Sequence, residues 1–232
     1  MITRIMVLAL LSAMMIAYPL SAAGQEEGAG YLFGSKVISG DGEGRPLSPF
    51  PVVPDFAFVD AGVNGVFDLG DPVYLNMNPQ DGMVSEGDIR LSTAFSRPGQ
   101  MVRLGDRDLG YRLIRFGTSG FQPAELRYYD VNGDRSYGLE DPVYLDFNPG
   151  QVTPGDLRIT GYLSYQPGSL VLDSDVDSGK QTRTLPGTLS FYNANGNVDS
   201  LGGAIFDRGD IVFIDTQFPF NAVTVNDVRL SA

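Results

Sequence analysis

The stretch YYDVNGDRSYGLED, residues 128–141, places Asp130, Asn132, Asp134 and Asp141 at positions 1, 3, 5 and 12 of a single loop. Oxygens at alternate positions of a tight turn wrap around one point. Carboxylates crowded in this way repel one another unless a cation or a set of donors offsets them. The chemistry such a loop offers is the binding of a hard cation by oxygen, and calcium is the ion that takes six to eight oxygens at about 2.3–2.6 Å. Other chemistries are removed by composition. The chain has no His and no Cys, which excludes Ser-His-Asp and Cys-His nucleophilic sites, haem held by His, the ordinary zinc and copper sites, and disulfides. With 28 acidic against 16 basic residues and a net charge of −12, it lacks the basic face that nucleic acid requires.

The loop belongs to a unit written three times. Entry segments FAFVD, LRYYD and LSFYN end at Asp60, Asp130 and Asn193; GDPVYLN, EDPVYLD and GDIVFID carry Asp71, Asp141 and Asp210; GDIRLS, GDLRIT and NDVRLS carry Asp88, Asp156 and Asp227. A further block, GSKVISGDGE, GQMVRLGDRD and GSLVLDSDVD, aligns Asp41, Asp106 and Asp175, then Glu43, Asp108 and Asp177. Internal repetition of this kind implies duplication. It divides the chain into residues 24–97, 98–166 and 167–232, with residues 44–55, GRPLSPFPVVPD, as a Pro-rich connector that has no counterpart in the other units.

The elements that must position these acids read as strands. FAFV, VYLNM, LRYY, VYLDF, LSFY and IVFI are short, rich in aromatic and β-branched residues, and bounded by Gly, Pro, Asn and Asp. No segment after the N-terminal one sustains apolar residues at helical spacing over three turns. The expectation is an all-β chain of three tandem modules of about 65–70 residues, with calcium-type loops and one-turn helices starting at Ser85 and Thr153. Asp88, Asp156 and Asp227 each precede a strand, with Arg two residues on, and are expected to hydrogen-bond backbone; Arg90, Arg158 and Arg229 are expected to pair with neighbouring carboxylates on the outer face.

The 130–141 loop resembles the calcium loop of EF-hand and dockerin modules: D-x-N-G-D followed by an acid at position 12. The resemblance covers the loop and not the helical fold, because DPVYL follows where those families place a helix. Carried over, it implies side-chain ligands at Asp130, Asn132 and Asp134, the Ser136 carbonyl, and Asp141 closing the loop. In the first unit the matching positions are Asp60, Asn64, the Val66 carbonyl, Asp68 and Asp71, with Gly62 leaving position 3 empty. In the third they are Asn193, Asn195 and Asn197, then an insertion before Asp207 and Asp210, with lower charge and weaker binding implied. Arg135 stands at position 6, where an EF-hand loop has Gly. A plain β-hairpin turn at Asn64-Gly65, Asn132-Gly133 and Asn195-Gly196 accounts for part of the same pattern, and a hairpin closing over an ion satisfies both readings. DSDVDSG, residues 173–179, has calcium-loop spacing without a twelfth-position acid, and a solvated turn is the preferred reading of it.

Residues 1–23 have the form of a secretory signal: Arg4, an apolar run, and Ser21 and Ala23 before Gly24. With that segment removed, the sequence predicts no membrane span. Export, the lack of reactive residues, three copies of one unit and acid-rich loops together predict a secreted, calcium-binding repeat protein with a structural or adhesive role at the cell surface or in an extracellular complex. The partners expected are calcium and a surface protein or polysaccharide. A dockerin-like or carbohydrate-binding recruitment module is the alternative, and a carboxylate-based glycoside hydrolase is disfavoured because the acids follow the repeats and offer no unique pair.

Overall fold

The computed structural model describes residues 33–40, 42–94, 97–118, 123–217 and 219–231. The expected signal segment 1–23, and Asp41 in the first acidic block, lie outside the described residues. Twelve strands form among the described residues. They are β1 (Ser48–Pro49), β2 (Asp55–Phe58), β3 (Val73–Asn76), β4 (Ile89–Arg90), β5 (Ile114–Arg115), β6 (Glu125–Tyr129), β7 (Val143–Asp146), β8 (Leu157–Arg158), β9 (Thr182–Thr184), β10 (Thr188–Tyr192), β11 (Ile211–Asp215) and β12 (Val228–Arg229). They make three four-stranded antiparallel sheets, ordered β4-β3-β2-β5, β8-β7-β6-β9 and β1-β10-β11-β12. The fold is all-β, and the six segments read as strands from their composition all lie in these sheets.

Each sheet is buried on both faces, which is why VYLN and VYLD read as continuous apolar runs without clean alternation. Val73, Leu75, Val143, Leu145, Val212 and Ile214 point into one core shared by all three sheets. The residues between them, Tyr74, Tyr144 and Phe213, point the other way into three smaller clusters roofed by loops. Pooling one core among three repeats resolves the difficulty of a unit too small to bury its own.

The sheets do not follow the repeat boundaries. Strands β5 and β9 fall after residues 97 and 166, yet they complete the sheets of β2 and β6, which lie before those boundaries. The same rule makes β1 the outer strand of the third sheet, paired with β10. The connector 44–55 therefore does have counterparts, which corrects the sequence reading: Ser48–Pro49 stands where β5 and β9 stand in the other sheets. Proline hid it. Pro49 lacks an N–H to give to a ladder and is tolerated because β1 is an edge strand.

Three glycines in the left-handed region mark where sheet meets sheet. A Cβ on Gly34 would run into Pro167 and the Ile159 carbonyl, one on Gly168 into Pro98 and the Leu91 carbonyl, and one on Gly99 would lie 2.7 Å from Phe33 Cβ. Each residue just before one of these glycines is thus the neighbour of the next, and the contacts close in a cycle. The one-turn helices expected at Ser85 and Thr153 are absent. Each is a single turn, with Asp88 N donating to Ser85 O at 3.2 Å and Asp156 N to Thr153 O at 3.0 Å. The strand that follows leaves no room for a second turn.

Candidate metal centre

In all three sheets the candidate loop links the paired strands, β2 to β3, β6 to β7 and β10 to β11. The acid at position 12 anchors it from below. Asp141 Oδ1 accepts from Val131 N at 2.8 Å and Oδ2 from Gly138 N at 2.9 Å. Asp71 does the same for Ala61 and Asp68, and Asp210 for Ala194 and Asp207. All three side chains are buried. Burial pushes the Asp71 and Asp141 carboxyls up, and their backbone donors work against it. These aspartates, which the loop resemblance implied as ion ligands, hold the two ends of the loop together through paired backbone hydrogen bonds.

The acid at position 1 organises the outer turn. Asp60 accepts from Asn64 N and Gly65 N, and Asp130 from Gly133 N and Arg135 N. Asp130 also takes Arg183 Nε at 3.1 Å. Burial would raise the Asp130 carboxyl, but the Arg135 and Gly133 N–H groups and Arg183 outweigh it and hold it below the usual range. At position 5, Asn64 Oδ1 accepts from Val66 N and Asp134 Oδ1 from Ser136 N. Val66 and Ser136 therefore enter this hydrogen-bond pattern through their N–H groups.

Although the two loops differ in sequence, they share one backbone. Positions 4 and 6 are left-handed in both: Val63 at φ 51° and Gly65 at 75°, Gly133 at 77° and Arg135 at 70°. The glycine missing from position 6 of the second loop does not change the turn, since Arg135 adopts the conformation that glycine favours. A β-branched valine and an arginine held there each cost on the order of 1–2 kcal/mol.

The oxygens converge around amides. Asn132 Nδ2 lies 3.0 Å from Asp134 Oδ2 and 2.5 Å from Glu140 Oε1. Asn64 Nδ2 donates to Asp68 Oδ2 at 3.0 Å. In the third loop Asn195 and Asn197 donate to the two oxygens of Asp207 at 2.6 and 2.7 Å, and Asn193 Oδ1 takes Gly196 N. Its insertion folds back on itself around Asp199, whose Oδ1 accepts from Leu201 N and Gly203 N. Among the described residues no three His, Cys, Asp or Glu side chains form a group able to hold a metal ion unaided. A cation set here must draw on the Asn oxygens and main-chain carbonyls as well as on carboxylate pairs.

Sequence reasoning missed three participants. Glu140, at position 11, was visible but unassigned. Asp199 lies in the insertion and has no counterpart to align with. Lys36 is more than a hundred residues from its target: its ammonium donates to the carbonyls of Gly138 at 2.7 Å, Leu139 at 3.0 Å and Asp141, and lies 4.5 Å from the Tyr137 ring centroid. Burial lowers its pKa to about 8 against the pull of Asp141 and Glu140. The position-8 aromatics are a related feature. Phe67 packs on Phe147 at 4.7 Å between centroids, Phe206 on Phe50 at 5.3 Å, and Tyr137 donates to Asn226 O at 3.2 Å. The first and second loops thereby wedge against the following sheet.

The other repeated acids are accounted for within the fold. Asp88 accepts from Met77 N and Ser85 N, Asp156 from Phe147 N and Thr153 N, and Asp227 from Thr216 N and Thr224 N, as expected. Arg90 and Arg158 do pair with carboxylates, those of the acidic block that opens the following unit, but in the interior. Arg158 reaches Asp175 and Asp177 at 2.7 Å each, and Arg90 reaches Asp106 and Asp108 at 2.7 and 2.6 Å. Tyr74 and Tyr144 hydroxyls complete the buried pairs by donating to Asp108 and Asp177. The DSDVDSG turn is therefore the acceptor of a guanidinium.

No helix among the described residues is long and apolar enough to cross a membrane. No family model matches the chain, and no solved structure matches it. The sequence is similar to the DNA-directed RNA polymerase subunit beta'' of Psilotum nudum, 22% identical over 174 residues. The match takes in 71% of this chain and 11% of that subunit, so the chain spans a small part of the relative's length and no family is established by it.

Proposed function

We propose that this chain is a secreted, calcium-stabilised structural or adhesive repeat protein, with the loops at 60–71 and 130–141 as its ion sites. One observation carries the reading. Two loops of different sequence hold the same left-handed pair at positions 4 and 6, under a position-1 carboxylate that caps the position-6 N–H in both, and one member of each pair is not glycine. Strain kept in two copies suggests a functional constraint on the loop rather than on its residues. Asp60, Asn64 and Asp68 would hold the ion in the first loop, and Asp130, Asn132, Asp134 and Glu140 in the second. Bound calcium would offset the repulsion among these acids. Because Phe67 and Tyr137 reach from the loops to neighbouring sheets, ordering a loop would tighten the contact between sheets.

The role follows from what the repeats offer, several similar acidic loops. Such loops suit bridging through calcium to an anionic surface protein or polysaccharide. The test is a metal count on the purified chain after dialysis against millimolar calcium, beside retention on cell-surface extract with and without chelator. Calcium at one or more per chain, with chelator-sensitive retention, supports the proposal; a metal-free chain retained equally in chelator overturns it.

A further inference from the structure

Asn76, Asp146 and Asp215 are the last residues of β3, β7 and β11, occupy the same place in their sheets, and are fully buried. The surroundings of the three differ. Asn76 is neutral, and its Oδ1 accepts from Asn78 N at 2.9 Å. Asp146 is an acid whose carboxyl burial pushes up, but it is partnered: Thr182 Oγ1 donates to Oδ2 at 3.0 Å, Asn148 N to Oδ1 at 2.9 Å, and Arg127 Nε lies 3.6 Å away. Among the described residues, Asp215 has one long contact, Gln217 N at 3.4 Å, and its Oδ2 has no hydrogen-bond partner.

The strand registers explain the difference. Pro49 pairs with Ser190 where Thr184 pairs with Arg127. The place of Thr182 is therefore taken by Leu47, and the place of Arg127 by Ser190. The third sheet has an acid without the hydroxyl and guanidinium that serve it in the second. Among the described residues, the charge that acts on Asp215 is not a cation. Thr188 and Ser190 of β10 are uncharged, Arg45 lies over the Tyr192 ring at the opposite end of the β10–β11 ladder, and Arg229 lies over the Phe213 ring, 5.7 Å from its centroid. The charged group that acts on Asp215 is a second carboxylate, Asp227.

We propose that Asp215 is a proton-operated latch on the sheet that joins residues 33–49 to the third repeat. Protonated, it is a neutral counterpart of Asn76, with Leu47 at the register position that Thr182 holds in the second sheet. Ionised, it places a charge with no donor on Oδ2 under the influence of Asp227, and the segment at that register position is the one that brings in edge strand β1. Burial first, then the Asp227 charge, push its pKa up to about 6, with the Gln217 N–H opposing. A raised folded pKa means that the native sheet holds the proton more tightly than the open one. Stability of this sheet is then greatest below the ordinary carboxylate range, falls as pH rises from about 4 to about 6, and is level above that.

The test is hydrogen exchange on the full chain between pH 4 and 7, corrected for intrinsic rates and read at residues 44–49, where Leu47 N donates to Asn221 O. A shift of about two pH units predicts that the opening equilibrium at these residues rises about 100-fold across the range. Asp215→Asn should remove most of that rise, and the Leu47→Thr, Ser190→Arg pair, which imports the partners of Asp146, should reduce it. Carboxyl carbon NMR of the unsubstituted chain provides a readout that does not depend on a variant folding, with a midpoint near 6 for Asp215. A midpoint below about 4.5, or the same pH dependence in Asp215→Asn as in the unsubstituted chain, would overturn the latch.

Discussion

Replacing Arg158 by Met should be among the most damaging single changes to this fold. Arg158 is 1% exposed and Asp177 0%. The guanidinium meets Asp177 through Nε at 2.8 Å and through a second nitrogen at 2.7 Å, meets Asp175 at 2.7 Å, and donates to Leu170 O at 3.1 Å and Ser169 Oγ at 3.2 Å. It also lies 4.1 Å from the Tyr165 ring centroid. Methionine fills much of the stem's volume but leaves the Asp177 carboxylate with the Tyr144 hydroxyl and no counter-charge. Removing one partner of a buried pair costs about 3–5 kcal/mol, whereas neutralising both can cost little. For a domain of this size that is roughly 6–20 °C in Tm. Urea unfolding of Arg158→Met, Asp177→Asn and the double variant should give a coupling of at least about 2 kcal/mol, with the double variant more stable than Arg158→Met. Calcium and chelator should leave that coupling unchanged. Additive losses, or a cost below about 1 kcal/mol for Arg158→Met, would refute the buried-pair account, and a calcium-dependent coupling would return Asp175 and Asp177 to the ion-site candidates.

Gly168→Ala should lose several kcal/mol by denaturant titration, because the new Cβ meets Pro98 and the Leu91 carbonyl at a φ of +80°. Gly133→Ala, also left-handed but with nothing within 4 Å of the Cβ, should lose only about 1–2 kcal/mol. Asp141→Asn keeps one acceptor oxygen where two backbone N–H groups are held, so it should cost about 1–3 kcal/mol with calcium or without it. Burial raises Asp88 to about 6 and Asp156 to about 7 against their backbone donors. Both groups bind protons more tightly when folded, so urea-measured stability should fall as pH rises from about 4 to 7, and Asp156→Asn should flatten that slope.

The strands were legible because each is a short cluster of aromatic and β-branched residues between Gly, Pro, Asn and Asp, and the threefold repeat made each assignment three times. What could not be read was which strands share a sheet. Pairing depends on partners far apart in sequence: β1 meets β10 across the length of the chain, and the prolines around β1 disguise it as a linker. The same limit applied to the loops. Positions 1, 3, 5 and 12 were legible from spacing, but the carbonyls of Gly138, Leu139 and Asp141 meet Lys36 only because the third sheet is closed by the segment that carries it. The arginines were expected to meet neighbouring carboxylates, but their burial was not foreseen, because DSDVDSG and GDRDLG have the composition of solvated turns and only the roofing of the outer sheet face takes them out of water.

The central claim, that the acidic loops hold calcium, is tested most directly by thermal melts of the full chain in calcium and in chelator, for the native sequence and for Asp134→Asn. The substitution keeps the oxygen that accepts Ser136 N and removes the charge. At about ten times the dissociation constant, calcium should add roughly 1.4 kcal/mol per occupied site. The account predicts a higher Tm in calcium for the native chain, a smaller rise for Asp134→Asn, and magnesium as a poor substitute. Coincident melts of the native chain in calcium and chelator, with Asp134→Asn equally stable or more stable in both, would contradict it and leave the loops as turns held by their own hydrogen bonds.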